Sequence, residues 1–591
     1  MPSDYPRIPY GWADYAAIRQ EGRMYVDKTR HLRALEEERY AVLIRPRRFG
    51  KSCWVSLMEC YYDRNRADAF DALFGDTDIG RKPTRRRNRY VILRFDFSAV
   101  SDVLETLERE FETYCESELR DALESNPDVF SENAAKRILA PPSIEAKLNE
   151  LFRHTRRNSI PLYVLIDEYD NFANTILAHR GAGAYQSLTH HGGFYRNFFA
   201  ALKAGAGRGS GMERLFVTGV SPITLDDLTS GFNIGRNLSL RPEFNDLLGF
   251  TELEVRRMLA MYRDFGVFDQ DIDDALGFIR DWYGGYRFAK DAPTEIFNTD
   301  MVLYFLDESM PNKPPPDNPI DDNVRIDYGK LRHLLVVDQG RPANTADNAL
   351  NGNFHLLRHL IGENSIDGDV QSSFPLDRLD RRENFLSLLY YFGLLGIRGA
   401  SEATAHLGIP NQTVKRLMYG YLRDAYDDVG VFSADPLALS RLTHEMAHRG
   451  QWRPVLDFLR DAIARQTGIR DYIDGEKVVQ AFLAAHFSLT THFLLHSEQE
   501  LNKGHADLYL EPFVARFPDI AFGYVIEIKY LHRRDKLGDT VLDSRLSEAA
   551  AQLRQYLADE TLQQRYPSIQ HIGLALVFHG WELATYKEVR L

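Results

Sequence analysis

Four near-continuous apolar runs, YAVLI (40–44), YVILRFDFS (90–98), LYVLIDEY (162–169) and RLFVTGVS (214–221), alternate with long helical stretches such as 102–124. Runs without polar alternation suit strands buried on both faces, and strand–helix alternation implies parallel crossovers. Residues 1–250 are therefore predicted to form an α/β domain, a parallel sheet with helices on both faces. From 251 to 465 strand signals fade into a mainly helical region. It includes TELEVRRMLAMYRDFG (251–266), where Thr251 and Glu254 form a capping box, and the Pro-, Asp- and Asn-rich connection ESMPNKPPPDNPIDDN (308–323). Residues 466–591 return to an α/β pattern: a helix over 475–487, strands over 505–512 and 521–530, a helix over 544–560, and a strand over 571–580. A length of 591 residues fits roughly three or four domains.

The first apolar run feeds RPRRFGKS (45–52) and then a helix. The usual phosphate-binding pattern there is G-x-x-x-x-G-K-[ST]. Gly50 lets the backbone approach an anion, Lys51 brings a point charge, and Ser52 offers a hydroxyl to Mg²⁺; the helix N-terminus adds its positive end. Arg45 stands where the first glycine belongs. Followed by Pro46 it is biased to extended backbone, so the loop is expected to replace glycine flexibility with charge: Arg45, Arg47 and Arg48 around the phosphates. LYVLIDEYD supplies the second half of such a site, Asp167 for Mg²⁺ and Glu168 for the attacking water. Ser221, or Thr218 beside it, is a weaker candidate for sensing a γ-phosphate.

These residues carry a resemblance. IPYGWADYAAIRQEGRMYVDKTRHLRAL followed by LIRPRRFGKS is similar to the AAA-ATPase-like family of prokaryotic proteins, whose members read Y-V-D-K-T and then R-P-R-R-F-G-K-S. VTGVSPI (217–223), LLGFTELEV (247–255), WYGGYRF (282–288) and LYYFGLLGI with IPNQTV resemble later blocks. The resemblance makes Arg45 the family's own departure and places Phe49 within the ATP-binding loop. It implies a P-loop NTPase sheet, a lid or winged-helix-like middle, and a C-terminal domain of the PD-(D/E)xK nuclease superfamily.

The C-terminal residues read on their own chemistry agree. In YVIEIKY, Glu527 and Lys529 are two apart on a strand and share a face. Asp507, on the preceding strand, would come alongside Glu527. Two carboxylates and the Ile528 carbonyl form a hard-oxygen set for Mg²⁺ or Mn²⁺, with Lys529 to orient the attacking water. Glu476 begins the preceding helix and would reach the metal. Gln552 and Tyr556, four apart on the next helix, resemble the Q-x-x-x-Y pattern of some of these nucleases. Glu498 and Glu500 remain alternatives for a further acid, and His505 reads as a hydrogen-bonded strand-end residue.

The net charge of −13 does not favour a non-specific nucleic-acid coat. Its basic runs, GRKPTRRRNRY (80–90) and HRRDK (532–536), read by default as solvated loops. Cys53, Cys60 and Cys115 are too few for a disulfide framework or zinc site, no membrane-length apolar run or leader is apparent, and a reducing cytoplasm is expected. The leading expectation is an ATPase that regulates a metal-dependent nuclease acting on nucleic acid, DNA ahead of RNA, with defence against foreign DNA as a guess. The alternative is a nucleotide-dependent switch or scaffold whose nuclease-like domain binds without cleaving. A homo-oligomer with an arginine finger (Arg236) and a helix-turn-helix over 400–422 are weaker expectations.

Overall fold

A computed structural model describes residues 5–591 except 102, 191, 208, 210, 230–234, 317, 325–351, 380, 401–403, 429–431, 467–474 and 515. The chain forms two compact units rather than three: Met1–Lys313 with Asp321–Lys330 and Asp367–Asn411, and Pro314–Ile320 with Leu331–Ile366 and Gln412–Leu591. The expected boundary at 250 falls inside the first of these units. Residues 251–313 belong to the N-terminal unit, tied in part by the buried ion pair of Lys28 with Glu254 at 2.7 Å. Glu254 also closes the capping box on Thr251.

The N-terminal unit holds a five-stranded parallel sheet: β1 (Tyr40–Ile44), β2 (Val91–Asp96), β3 (Leu162–Asp167), β4 (Arg214–Gly219) and β5 (Arg236–Asn237), in spatial order β2-β3-β4-β1-β5. β3 and β4 are buried at every residue, as central parallel strands covered by helices must be. α1 (Lys51–Tyr62) follows β1 directly, and α2 (Leu107–Glu124) packs on β2. With β4 between β1 and β3, the loop after β1 and the acidic end of β3 emerge at the same carboxyl edge, where open α/β sheets bind ligands. Gly219 ends β4 in close quarters: a Cβ there would lie 2.3 Å from Asp170 Oδ1.

The C-terminal unit contains α3 (Pro436–Arg449), α4 (Arg453–Arg465), α5 (Glu476–Phe487) and α6 (Asp539–Leu557) around a mixed sheet. Its strands are β6 (Phe493–Leu501), β7 (Gly504–Pro512), β8 (Phe522–Leu531), β9 (Gln570–His579) and β10 (Glu582–Val589), in that spatial order. All pairs are antiparallel except β8 with β9. Sequence reasoning missed β6 and β10. β6 alternates buried Phe493, Leu495 and Ser497 with half-buried residues, and turns into β7 through Asn502 and Lys503, both at positive φ. That is the geometry of a two-residue hairpin turn, made here without glycine. Leu553 and Leu557 of α6 pack on Tyr509, Val525 and Ala575 of the sheet.

The helix-turn-helix expectation is corrected too. Ala405–Gly408 is a strand antiparallel to Gly396–Ala400, so the first helix is replaced by a hairpin arm; residues 401–403 lie outside the described residues.

Candidate functional sites

At the carboxyl edge of the first sheet the loop takes its left-handed turns at Arg48 (φ 69°) and Gly50 (φ 89°). Gly50 caps α1, so the helix amides open onto the loop. Arg45 does not face that opening. Its side chain is 1% exposed, donates to the carbonyls of Ile44, Ser239 and Phe244 at 2.7–3.0 Å, and lies 4.2 Å from the Phe288 ring centroid. The expectation of a phosphate contact from Arg45 is thereby overturned: three carbonyls and an aromatic face already enclose the guanidinium. Arg45→Met would strand those carbonyls and should cost about 3 kcal/mol of stability. A urea-unfolding midpoint unchanged from wild type would refute that role.

The Phe49 ring packs edge-on to Tyr286 and Phe288 and lines an apolar recess beside the loop, while its backbone belongs to the loop itself. Residues 298–300 clamp that backbone from far along the chain. Thr299 Oγ1 donates to Phe49 O at 3.0 Å, Asp300 N donates to Arg48 O at 3.1 Å, and the Asp300 carboxylate pairs with Arg48 at 3.2 Å.

Lys51 Nζ lies across the loop, 3.3 Å from Pro46 O and 3.4 Å from Glu168 Oε1. Asp167 is fully buried; burial, then the Glu168 charge, pushes its carboxyl up to about 6, while the Ser52 side chain opposes the shift by hydrogen bonding. Among the described residues its Oδ2 has no hydrogen-bond partner, a buried acceptor that a cation would satisfy. Lys51, Ser52, Glu168, Arg47, Arg48 and Asp300 border a polar cleft of roughly 400 Å³. Adjoining it is an apolar recess of roughly 100 Å³ lined by Trp12, Met24, Leu247 and Phe250 among others.

Ser221 and Thr218 do not join this cleft. Ser221 is fully buried, its amide bonded to Asp170 at 2.5 Å, and the Thr218 hydroxyl donates to Leu43 O at 2.7 Å. The γ-phosphate-sensor expectation therefore fails on geometry. Asp170, which sequence reasoning passed over, is the brace: its carboxylate also accepts from Val220 N and Asn174 Nδ2, tying the end of β4 to the segment after β3. Arg236 is ion-paired with Glu38 at 2.6 Å within its own chain. The 80–90 basic run is partly consumed internally, Arg86 on Tyr90 and Arg87 over Phe70.

The second site lies on β7 and β8. The register Leu508↔Ile526 continues to set Asp507 opposite Glu527. Asp507 Oδ2 accepts from Ile528 N at 2.7 Å, and Glu527 Oε1 accepts from Lys529 Nζ at 2.9 Å. Among the described residues Glu527 Oε2 is buried without a hydrogen-bond partner, so here too a cation would satisfy an orphaned acceptor. Glu476 acts electrostatically on Asp507, Glu527 and Lys529, which puts it at the same cluster. Of the two alternatives, Glu498 reaches the site. It accepts from Lys477 and, at 2.8 Å, from Gln480, whose amide also donates to Asp507 O; Glu500 is exposed. Lys477 and Gln480 were missed, although they lie next to Glu476 and one turn beyond it on α5. The Tyr556 hydroxyl donates to His505 O at 3.1 Å, and Gln552, one turn earlier on α6, lowers the pKa of that hydroxyl against the effect of burial. His505 itself is exposed and contributes that carbonyl.

Burial first and the Glu527 charge second raise the Asp507 carboxyl to about 8, and burial raises Glu527 against the pull of Lys529. A carboxyl raised in the folded state stabilises that state below its unfolded pKa and loses the contribution as pH climbs through the folded value. Metal-free protein should therefore lose stability between about pH 4 and pH 8, and Asp507→Asn should flatten part of that slope. Chemical unfolding across that window with a chelator present measures it; an identical slope in the variant would contradict the assignment.

A buried strand–loop–helix with an acidic strand end is the arrangement of P-loop nucleotide sites, and paired acids beside an E-x-K strand that of metal-dependent nucleases. Residues 9–229 match the family described as predicted AAA-ATPase, and residues 474–588 match the PD-(D/E)XK nuclease superfamily. A curated relative, described as an uncharacterized protein in the vnfD 5′ region of Azotobacter chroococcum mcd 1, is 25% identical over 303 residues, 51% of this chain and 52% of that protein. The chain thus spans about half the length of the curated relative it matches. No solved structure matches. Among the described residues no helix is long and apolar enough to cross a membrane.

Proposed function

We propose that the chain binds and hydrolyses ATP in its N-terminal unit and uses the nucleotide state to regulate phosphodiester cleavage of nucleic acid, DNA ahead of RNA, by its C-terminal domain. The observation that carries the reading is the pair of buried, partnerless carboxylate oxygens, Asp167 Oδ2 and Glu527 Oε2, each beside a lysine-bearing acidic cluster. Neither oxygen is a stable arrangement for a purely structural ion pair.

In the first site Lys51 turns from Glu168 to the β- and γ-phosphates, Ser52 and Asp167 hold Mg²⁺, and the released Glu168 orients the attacking water. The Trp12, Met24, Leu247 and Phe250 recess takes the base. In the second, Asp507, Glu527 and the Ile528 carbonyl hold Mg²⁺ or Mn²⁺, with Glu476 nearby. Bound there, the cation supplies Lewis-acid polarisation and a more acidic water. Lys529 holds Glu527 in its ligating position and presents its charge to the phosphate. A role against foreign DNA fits this pairing of chemistries.

Incubation of the full chain with ATP, Mg²⁺ or Mn²⁺ and a panel of DNA and RNA forms tests the reading. Metal-dependent cleavage together with ATP turnover is expected. A nucleotide-driven change of oligomer with every substrate left intact would favour the switch or scaffold instead.

A further inference from the structure

Away from both sites, three imidazoles converge in the C-terminal unit. α3 carries His444 and His448, one turn apart and on one face, and His492 precedes β6. One ring nitrogen of each lies within 4.8 Å of the others, and His444 Nδ1 is 3.2 Å from His492 Nε2. A tetrahedral zinc ion with bonds of about 2.0–2.1 Å sets its nitrogen ligands about 3.4 Å apart. The His444–His492 pair, a hydrogen bond in the metal-free protein, already has nearly that spacing; metal binding displaces the shared proton and draws in the third ring.

The rings are also held from behind. His492 Nδ1 is 3.4 Å from Thr490 Oγ1, and Phe517 packs on its ring with centroids 4.9 Å apart. His448 Nδ1 lies 3.3 Å from the Asp519 carbonyl and 3.4 Å from its carboxylate. Outer partners of this kind fix the orientation of metal-binding imidazoles. We propose that His444, His448 and His492 bind one transition-metal cation of the zinc class, with water as fourth ligand.

The donor chemistry separates this site from the nuclease cluster: three imidazoles select zinc-like ions, whereas the Asp507–Glu527 pair suits Mg²⁺ or Mn²⁺. The stretch reads H-E-x-x-H (444–448), the pattern of zinc peptidases. Here, however, the Glu445 carboxylate turns to Arg449 at 2.8 Å, away from any general-base position. The site's role is to fasten a helix. α3 already contacts the nuclease sheet through Tyr524 Oη donating to Met446 O at 2.8 Å and Ala521 N donating to Ala447 O at 3.2 Å. A cation at the three rings would pin the same helix to the entry of β6.

Titration of tag-free, chelator-stripped full chain with Co²⁺, in excess Mg²⁺, tests this. One equivalent per chain with a tetrahedral ligand-field spectrum is expected, displaced by Zn²⁺ and unchanged in Asp507→Asn. His448→Ala and His492→Gln should each weaken binding by about a hundredfold or more, while their metal-free unfolding curves report whether the fold is kept. Absence of stoichiometric binding in wild type would overturn the proposal. So would binding that survives both histidine variants or disappears in Asp507→Asn.

Discussion

Lys51→Ala is expected to lower ATP turnover by about 10²–10³-fold, the scale of losing one charged donor to a transition-state phosphate. The substitution removes a side chain that spans from the loop to Glu168, 3.4 Å away. Lys51 is buried, but Glu168 borders the cleft and can be rehydrated, so the unfolding midpoint should fall by less than the loss of a fully buried pair would bring. Glu168→Gln separates two roles: nucleotide binding should persist while turnover falls by a comparable factor. Steady-state phosphate release combined with equilibrium nucleotide binding reads both. Full turnover in Lys51→Ala would remove the loop from the mechanism.

Asp507→Asn should lower metal-dependent cleavage on the order of 10³-fold, about 4 kcal/mol of barrier. Asparagine keeps an oxygen to accept from Ile528 N, 2.7 Å away in the wild type, but loses the charge that a divalent cation requires. It also relieves the repulsion from Glu527 that helps raise Asp507. The variant should thus be at least as stable as wild type without metal, and gain less stability when Mn²⁺ is added. A site held for structure would behave oppositely, with loss of stability accompanying the loss of charge. Chelator-treated and Mn²⁺-loaded unfolding curves, run beside the cleavage assay, distinguish the two.

What could be read from the chain alone followed the locality of the signal. Gly50, Lys51 and Ser52 lie within one turn, and Glu527 and Lys529 within one strand repeat, so backbone periodicity alone gathers them. The family resemblance supplied the pairing of the two domains. Long-range partners were out of reach: residues 298–300 clamp a loop some 250 positions earlier, and no local pattern announces it. Arg45 misled because its position in the motif suggests a phosphate, whereas its direction is set by three carbonyls and Phe288. β10 escaped notice because GWELATYKEVRL presents half-buried polar residues at a sheet edge instead of an apolar run. The Y-V-D-K-T block, quoted for its resemblance, turns out to be a brace: Asp27 accepts from Thr29 and from Asp78 N, and Lys28 pairs with Glu254.

The central claim is that nucleotide bound in one unit governs phosphodiester cleavage in the other. Its most direct test is the initial rate at which the full chain cuts one labelled DNA in Mn²⁺, measured with and without ATP, in wild type and Lys51→Ala. The account predicts that ATP changes the wild-type rate by about tenfold, within the usual range of coupling between distinct sites, and leaves the Lys51→Ala rate unaltered. Equal rates with and without ATP in the wild type would contradict it.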